Sequence, residues 1–311
     1  MGAKRLFPRE RRGSLPRDRI ALEAPAKVNL YLEVGPRRPD GYHPVRSVMQ
    51  AIELCDLVEV ELDRGGRGIE IEVEGDAPAG DDNLCIQAAR AYSEWLKKPF
   101  GVRIGLKKRI PNAAGLGGGS SDAAAVLRGL QLLSGEDISR EELFELAASL
   151  GSDVPFFLIG GTALAQGRGE QIFPLVQAPP LPILLANPGI ELSTRLVYEK
   201  FDEIGGPKPP EGGPAGLIKS LASQDVERIP GLLFNSLQKA AIDLVPEIGQ
   251  LLEMAKRSDE EAALLCGSGS TVFVMRENEQ RVSAENQMKQ TAAWLLDTQF
   301  RGGGVALLEP R

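Results

Sequence analysis

Residues 111–125, PNAAGLGGGSSDAAA, run from the end of a strand-like pattern straight into a helical one. Glycines at 115, 117, 118 and 119 have no Cβ, so the backbone there can take positive φ and bring its amides against a ligand. Ser120, Ser121 and Asp122 supply helix-starting side chains. Ala123, Val126, Leu127, Leu130 and Leu133 then recur at three- and four-residue spacing until Ser134-Gly135 closes the helix. A helix entered this way aims its unpaired first amides and positive dipole end at whatever the glycines surround, which makes the segment a candidate phosphate cradle.

Two familiar glycine loops do not fit. A Walker loop places lysine after its last glycine, whereas Ser120 stands there, so a phosphate-binding lysine must come from elsewhere. A dinucleotide-binding turn needs a third Gly or Ala, where Gly115-x-Gly117 offers Ser120 and Gly117-x-Gly119 offers Asp122. The plain alternative is a flexible, ligand-free loop; four glycines within five positions, entering a helix directly, argue against it.

A chain of 311 residues is long enough for about two domains with real cores. With 36 Lys and Arg against 43 Asp and Glu the net charge is −7, which argues against nucleic acid or an anionic membrane as the main partner. Cys55, Cys85 and Cys266 form no C-x-x-C pair and are odd in number, which suits a reducing cytoplasm rather than a disulfide framework. No stretch approaches the roughly 18 apolar residues of a membrane-crossing helix. Residues 1–20 carry Lys4, Arg5, Arg9, Arg11, Arg12, Arg17 and Arg19 without an apolar run, and read as a disordered basic extension or sequence upstream of the true start.

From Lys27 the pattern is strand-rich. Val28, Leu30, Leu32 and Val34 alternate with Lys27, Asn29, Tyr31 and Glu33, a half-buried strand whose other face carries Lys27 and Asn29 together. Residues 58–62 and 69–73 read as two strands around Gly65-Gly66, Leu84 to Trp95 as a helix, and Val102, Ile104, Leu106 and Ile110 as the strand leading into the glycine loop. Lys108 shares the apolar face of that strand and so needs a polar partner inside. Ser139-x-x-Glu142 is a capping box for a helix closing at Gly151. The second half holds a Gly/Pro-rich connection at 205–216, a helix pattern over 237–252, strand, glycine turn and strand over 262–275, and a helix pattern running through Trp294. The sum is an α+β chain of two domains, 21–170 and 171–311, without internal repeats.

Three segments stand together: PAKVNLYL at 25–32, PNAAGLGGGSSDAA at 111–124 and CGSGSTVF at 266–273. That set resembles the three motifs of the galactokinase, homoserine kinase, mevalonate kinase and phosphomevalonate kinase superfamily. Within it, RRPDGYHPVRSVMQAIELCD (37–56), DDNLCIQAAR (81–90) and GSDVPFFLIGGTALAQGRGE (151–170) are similar to the 4-diphosphocytidyl-2-C-methyl-D-erythritol kinases. The resemblance covers about residue 21 to the end. It implies transfer of the γ-phosphoryl group of ATP to the 2-hydroxyl of the methylerythritol unit, in non-mevalonate isoprenoid precursor synthesis. It also implies a nucleotide-binding N-terminal domain beside a ferredoxin-like C-terminal one, with catalysis in the cleft between them.

Carried over residue by residue, the resemblance makes Lys27 and Asp153 the catalytic pair. A carboxylate can accept the hydroxyl proton while a neighbouring ammonium steadies both the carboxylate and the transferring phosphoryl. It gives the ATP phosphates to Pro111, Asn112, Ala113, Ala114, Gly115, Leu116, Gly117, Gly118, Gly119, Ser120 and Ser121, with Asn83, Lys108 and Asp122 near the nucleotide. Asp122 departs from an asparagine expected in some relatives. Mg²⁺ is expected with ATP, and Ser121 is the candidate ligand. Tyr42, His43, Asn29 and Thr194 are expected against the cytidyl-diphosphate substrate, and Tyr198 is expected to stack on cytosine. Read alone, His43 is a turn histidine and Tyr198 a helix-core residue. The 267–270 turn is expected close to the first glycine loop, as a simple hairpin or a direct phosphate contact. No nucleic acid or membrane partner is expected, and the assembly is a monomer or homodimer. The competing readings are a homoserine or phosphomevalonate kinase, against which DGYH and Tyr198 speak, and a nonenzymatic ligand sensor, against which the retained Lys27 and Asp153 speak.

Overall fold

The computed structural model describes residues 18–308 apart from 64, 67, 99, 258–261, 276–285 and 287. The expected basic extension lies outside these up to residue 17, while Arg19 and Ile20, its expected end, already belong to a strand.

That strand, β1 (Arg19–Val34), pairs antiparallel with β2 (Val45–Asp63) along nearly its whole length. The expectation of a half-buried strand is corrected here: Val28 and Leu30 on one face and Lys27 and Asn29 on the other are all buried, because the second face is covered by glycine loops rather than by water. Next come β3 (Gly68–Glu74), α1 (Leu84–Leu96) and β4 (Gly101–Lys107). The strands on either side of Gly65-Gly66 do not pair with each other. β4 inserts between them, antiparallel to β2 and parallel to β3, because α1 carries the chain back to start a parallel neighbour. Ile69, Ile71 and Val73 face the core while Glu70, Glu72 and Glu74 keep this edge strand charged.

Helix α2 (Gly118–Ser134) lies on the sheet. A Cβ on Gly129 would come 2.8 Å from Val60 Cγ2, so glycine lets helix and sheet close tightly. α3 (Arg140–Leu150) starts with the expected capping box, Ser139 and Glu142 each bonding the other's amide. α4 (Val154–Ile159) leads to β5 (Thr162–Gln166) and β6 (Gln171–Pro174), which extend the first sheet from β2.

The second sheet is built from β7 (Pro182–Asn187), then, past α5 (Thr194–Ile204), α6 (Ala215–Ser223), a two-residue β8 (Phe234–Asn235), α7 (Gln238–Leu244) and α8 (Pro246–Arg257), from β9 (Ala263–Leu265), β10 (Val272–Met275) and β11 (Trp294–Gln299). Its strands are antiparallel in the order β11-β7-β10-β9. Numbered within this sheet the order is 4-1-3-2, as in ferredoxin-like folds. The helix pattern over 237–252 is split at Val245-Pro246 into α7 and α8, since proline cannot continue the backbone ladder. The helix expected through Trp294 falls largely outside the described residues, and Trp294 itself opens β11. Finally β12 (Ala306–Leu307) returns to pair with β1, which also takes β8 on its other half. A core containing Val28, Leu30, Ile52, Ile110, Ile183 and Phe273 joins the two sheets. Among the described residues no helix is long and apolar enough to cross a membrane.

Candidate active site

The glycine loop enters α2 two residues earlier than expected. Gly117, at φ 73°, is the N-cap in the left-handed region, and helix begins at Gly118, so Ser120, Ser121 and Asp122 lie within it rather than starting it. No side chain caps this end, and the backbone ladder begins with Ser121 N–H to Gly117 O at 3.0 Å. The first-turn amides are therefore left for a ligand, as the cradle reading requires. Gly115 is at φ 76°, and a Cβ there would lie 2.3 Å from the Cys266 carbonyl oxygen. The 266–271 turn, closed by Gly269 N–H to Cys266 O (2.9 Å), thus packs against the first loop, as expected.

Lys27 runs between the two loops. A Cβ on Gly117 would stand 3.3 Å from its Cε and one on Gly267 3.1 Å from its Nζ. Its Nζ donates to Asn29 Oδ1 (2.7 Å) and lies 3.7 Å from Asp153 Oδ2. Asn29 Nδ2 donates in turn to Ser47 Oγ (2.8 Å), so the residue expected against substrate also orients the lysine. Asp153 occupies the N-cap position of α4 but makes no capping bond, and its carboxylate, 37% exposed, stays free on the cavity side of the lysine.

A cavity of about 890 Å³ opens here and gathers the expected catalytic pair, Gly115 and Gly117 of the glycine loop, and all five expected substrate residues. His43 Nδ1 is 2.8 Å from Gly35 O, its Nε2 is 3.4 Å from Asp202, and its ring lies 5.3 Å from that of Tyr198. Burial, with the Asp153 charge adding to it, pushes the Tyr198 hydroxyl up to about 12, so the ring is a neutral platform at any working pH. Thr194 Oγ1 sits 2.8 Å from Ser268 Oγ, tying α5 to the second loop. Tyr42 is exposed, and the Arg168 guanidinium lies 5.0 Å from its ring centre. The other arginines of the cavity are paired: Arg37 with Asp202 (3.9 Å) and Arg195 with Glu199 (2.8 Å).

Pro111, Asn112, Ala113 and Ala114 border a smaller cavity of about 400 Å³ beside Lys108, Asn187 and Trp294. Asn83 lines neither cavity; it caps α1, accepting from Cys85 N–H (2.8 Å) and donating to Pro78 O (2.6 Å). Lys108 has the inside partner its position demanded, in fact two: Asp122 at 2.7 Å and Asp56. Asp56, which sequence reasoning missed, also accepts the Arg109 and Ile110 amides and so fixes the exit of β4 into the cradle. Its signal was available: Ile52, Leu54, Val58 and Val60 set the apolar phase of β2, and a carboxylate in that phase at 56 requires a buried partner. Burial pushes Lys108 down, but the two carboxylates outweigh it and hold the ammonium above its ordinary value.

Asp122 is raised to about 8, first by burial and then, against the pull of Lys108, by Asp56. Its Oδ1 and Ser121 Oγ are buried without hydrogen-bond partners. Because the folded-state value lies above the unfolded one, the stability this proton lends is fully present below about pH 4 and is lost as pH rises through about 8. Asp122→Asn is therefore expected to flatten the decline, with urea midpoints of variant and wild type diverging more between pH 5 and 8.5 than between pH 3 and 4.

Comparison with known proteins agrees with this fold. Residues 83–161 match the model for the GHMP kinases N terminal domain and residues 217–292 that for GHMP kinases C terminal. The chain is 44% identical over 268 residues to the 4-diphosphocytidyl-2-C-methyl-D-erythritol kinase of Shouchella clausii, covering 85% of this chain and 88% of that one. It is 39% identical over 282 residues to the enzyme so named from Geobacter metallireducens, covering 89% and 96%. A crystal structure of 4-(cytidine 5'-diphospho)-2C-methyl-D-erythritol kinase superposes with TM-score 0.75 at 37% identity, over 91% of this chain and all of that one. Homoserine kinase from Cytophaga hutchinsonii shares the fold, with TM-score 0.73 at 19% identity.

The two matched domains and the kinases it resembles along most of its length make the chain an ATP-dependent small-molecule kinase of the GHMP class. Within that class the chain belongs to the 4-diphosphocytidyl-2-C-methyl-D-erythritol kinase family.

Proposed function

We propose that the protein transfers the γ-phosphoryl group of ATP to the 2-hydroxyl of 4-diphosphocytidyl-2-C-methyl-D-erythritol, in a cytoplasmic route to isoprenoid precursors. The observation that carries this reading is the Lys27–Asp153 pair, 3.7 Å apart, standing between the cradle and a cavity that also holds Tyr42, His43 and Tyr198. The cradle amides hold phosphate charge, and Gly115 and Gly117 let the backbone come close enough to do so. Asp153 orients the acceptor hydroxyl and takes its proton. Lys27, held in place by Asn29, balances the charge that gathers on the phosphoryl oxygens.

No cluster of three or more metal-binding side chains occurs among the described residues, which fits an ion held chiefly by nucleotide phosphates. Ser121 Oγ, buried and without a partner, is the protein oxygen that suits it. Bound with ATP, Mg²⁺ supplies neutralisation of the β- and γ-phosphate charge.

A coupled assay of ADP release against the cytidyl substrate, homoserine and phosphomevalonate tests the reading. Turnover with the cytidyl substrate is expected to dominate; a preference for either of the others would overturn it. Tyr198→Ala is expected to weaken the cytidyl substrate by about 1 to 3 kcal/mol, the range for lost base stacking, with the loss in KM and ATP affinity unchanged. Normal substrate affinity in that variant, measured by calorimetry, would take Tyr198 out of base recognition.

A further inference from the structure

We propose that Arg168 supplies the counter-charge for the diphosphate of the substrate, and so makes the diphosphate a feature the enzyme selects for. This rests on the substrate reading above and adds a residue to it.

The argument begins with the cations of the large cavity. Lys27, Arg37 and Arg195 each face a carboxylate across an ion pair. Arg168 helps hold the exposed Asp40 carboxyl low but forms no ion pair with any described residue, and its side chain lines the same cavity. An exposed loop arginine is ordinarily a solvated charge with its side chain free to wander. The loop here is fixed, however: Val45 N–H donates to Gly167 O (2.8 Å), and the Arg168 amide donates to Glu170 Oε2 (2.7 Å). Gly167 and Gly169, at φ 73° and 118°, turn the chain on either side of Arg168.

Position then selects the group it meets. On one side the guanidinium rests over Tyr42, 5.0 Å from the ring centre, next to the aromatic pair His43 and Tyr198 proposed for the base. On the other side the following residue abuts the reacting end, since a Cβ on Gly169 would lie 4.0 Å from Asp153 Oδ1. In the substrate the diphosphate lies between the cytidine and the alcohol that is phosphorylated. Arg168 has the matching place, between the aromatic end and the carboxylate end. A dianion entering a cavity whose other cations are already ion-paired needs a positive charge that is not, and a guanidinium offers it with paired donors suited to phosphate oxygens.

The test compares Arg168→Gln and Arg168→Lys with wild type by calorimetry, using CDP, cytidine and ATP as probes, and by steady-state kinetics. Arg168→Gln is expected to lose at least about 10-fold in CDP affinity, with cytidine and ATP binding unchanged. Arg168→Lys should recover part of that loss, and the wild-type preference for CDP over cytidine should shrink with added salt. Equal losses for CDP and cytidine would mean that Arg168 serves only to pack on Tyr42, and would overturn the proposal. An unchanged preference for CDP in Arg168→Gln would remove the proposal and leave the substrate reading standing. Wild type that binds neither CDP nor cytidine would remove the substrate reading and this proposal with it.

Discussion

Asp153→Asn is expected to lower turnover by about 100-fold or more while ATP binds as before. The carboxylate makes no capping bond to α4 and its one ion pair among the described residues is the 3.7 Å approach to Lys27, so the amide removes proton acceptance at little cost in volume or fold. Lys27→Met should fall as far, for a related reason: the end of the lysine runs between Gly117, beside Cε, and Gly267, beside the ammonium, which would face the charge that develops in transfer. Single-turnover rates with saturating ATP, alongside nucleotide titrations, distinguish chemistry from binding. Turnover near wild type in Asp153→Asn would remove Asp153 from the reaction, and a Lys27→Met defect confined to KM would make the lysine a binding residue.

Gly117→Val should abolish measurable ATP binding in protein that still folds. Three effects converge at this position. A β-branched residue is strained at φ 73°; its Cβ would lie 2.8 Å from Phe157 Cζ and 3.3 Å from Lys27 Cε; and the extra methyl groups occupy the space the phosphates need. Calorimetric titration with ATP reads the outcome, with circular dichroism reporting on the fold. Unchanged affinity in folded variant would refute the cradle.

The glycine loop and the helix it enters were legible because their signal is local. Four glycines within five positions followed by apolar residues at helical spacing leave few alternatives, and only the start of α2 was misplaced. The serines and the aspartate matched the usual cap chemistry, but a left-handed Gly117 turns the chain into helix without help from a side chain. Lys27 and Asn29 were placed together by strand alternation, and Lys108 was marked as needing company by its phase. What stayed hidden was non-local. The insertion of β4 between β2 and β3 depends on pairing that no short segment encodes, and the partners of Lys108 come from β2 and α2, 52 and 14 residues away. Likewise the burial of both faces of β1 follows from loops more than 80 residues downstream. Trp294 was read as helical, whereas residues 289–293 have already left the helix and Trp294 opens β11.

The strand that bears Lys27 is also a record of the order in which the site can be finished. β1 leaves the ribosome before every other described strand, yet two of its neighbours, Phe234–Asn235 and Ala306–Leu307, lie about 200 or more residues further along. The 266–271 turn that walls in the lysine is also a late arrival. Pairing over such separations is slow to form and leaves sheet edges uncovered in the meantime. A nascent chain can therefore carry the whole glycine loop, Lys27 and Asp153 and still lack a closed site until β12 has emerged.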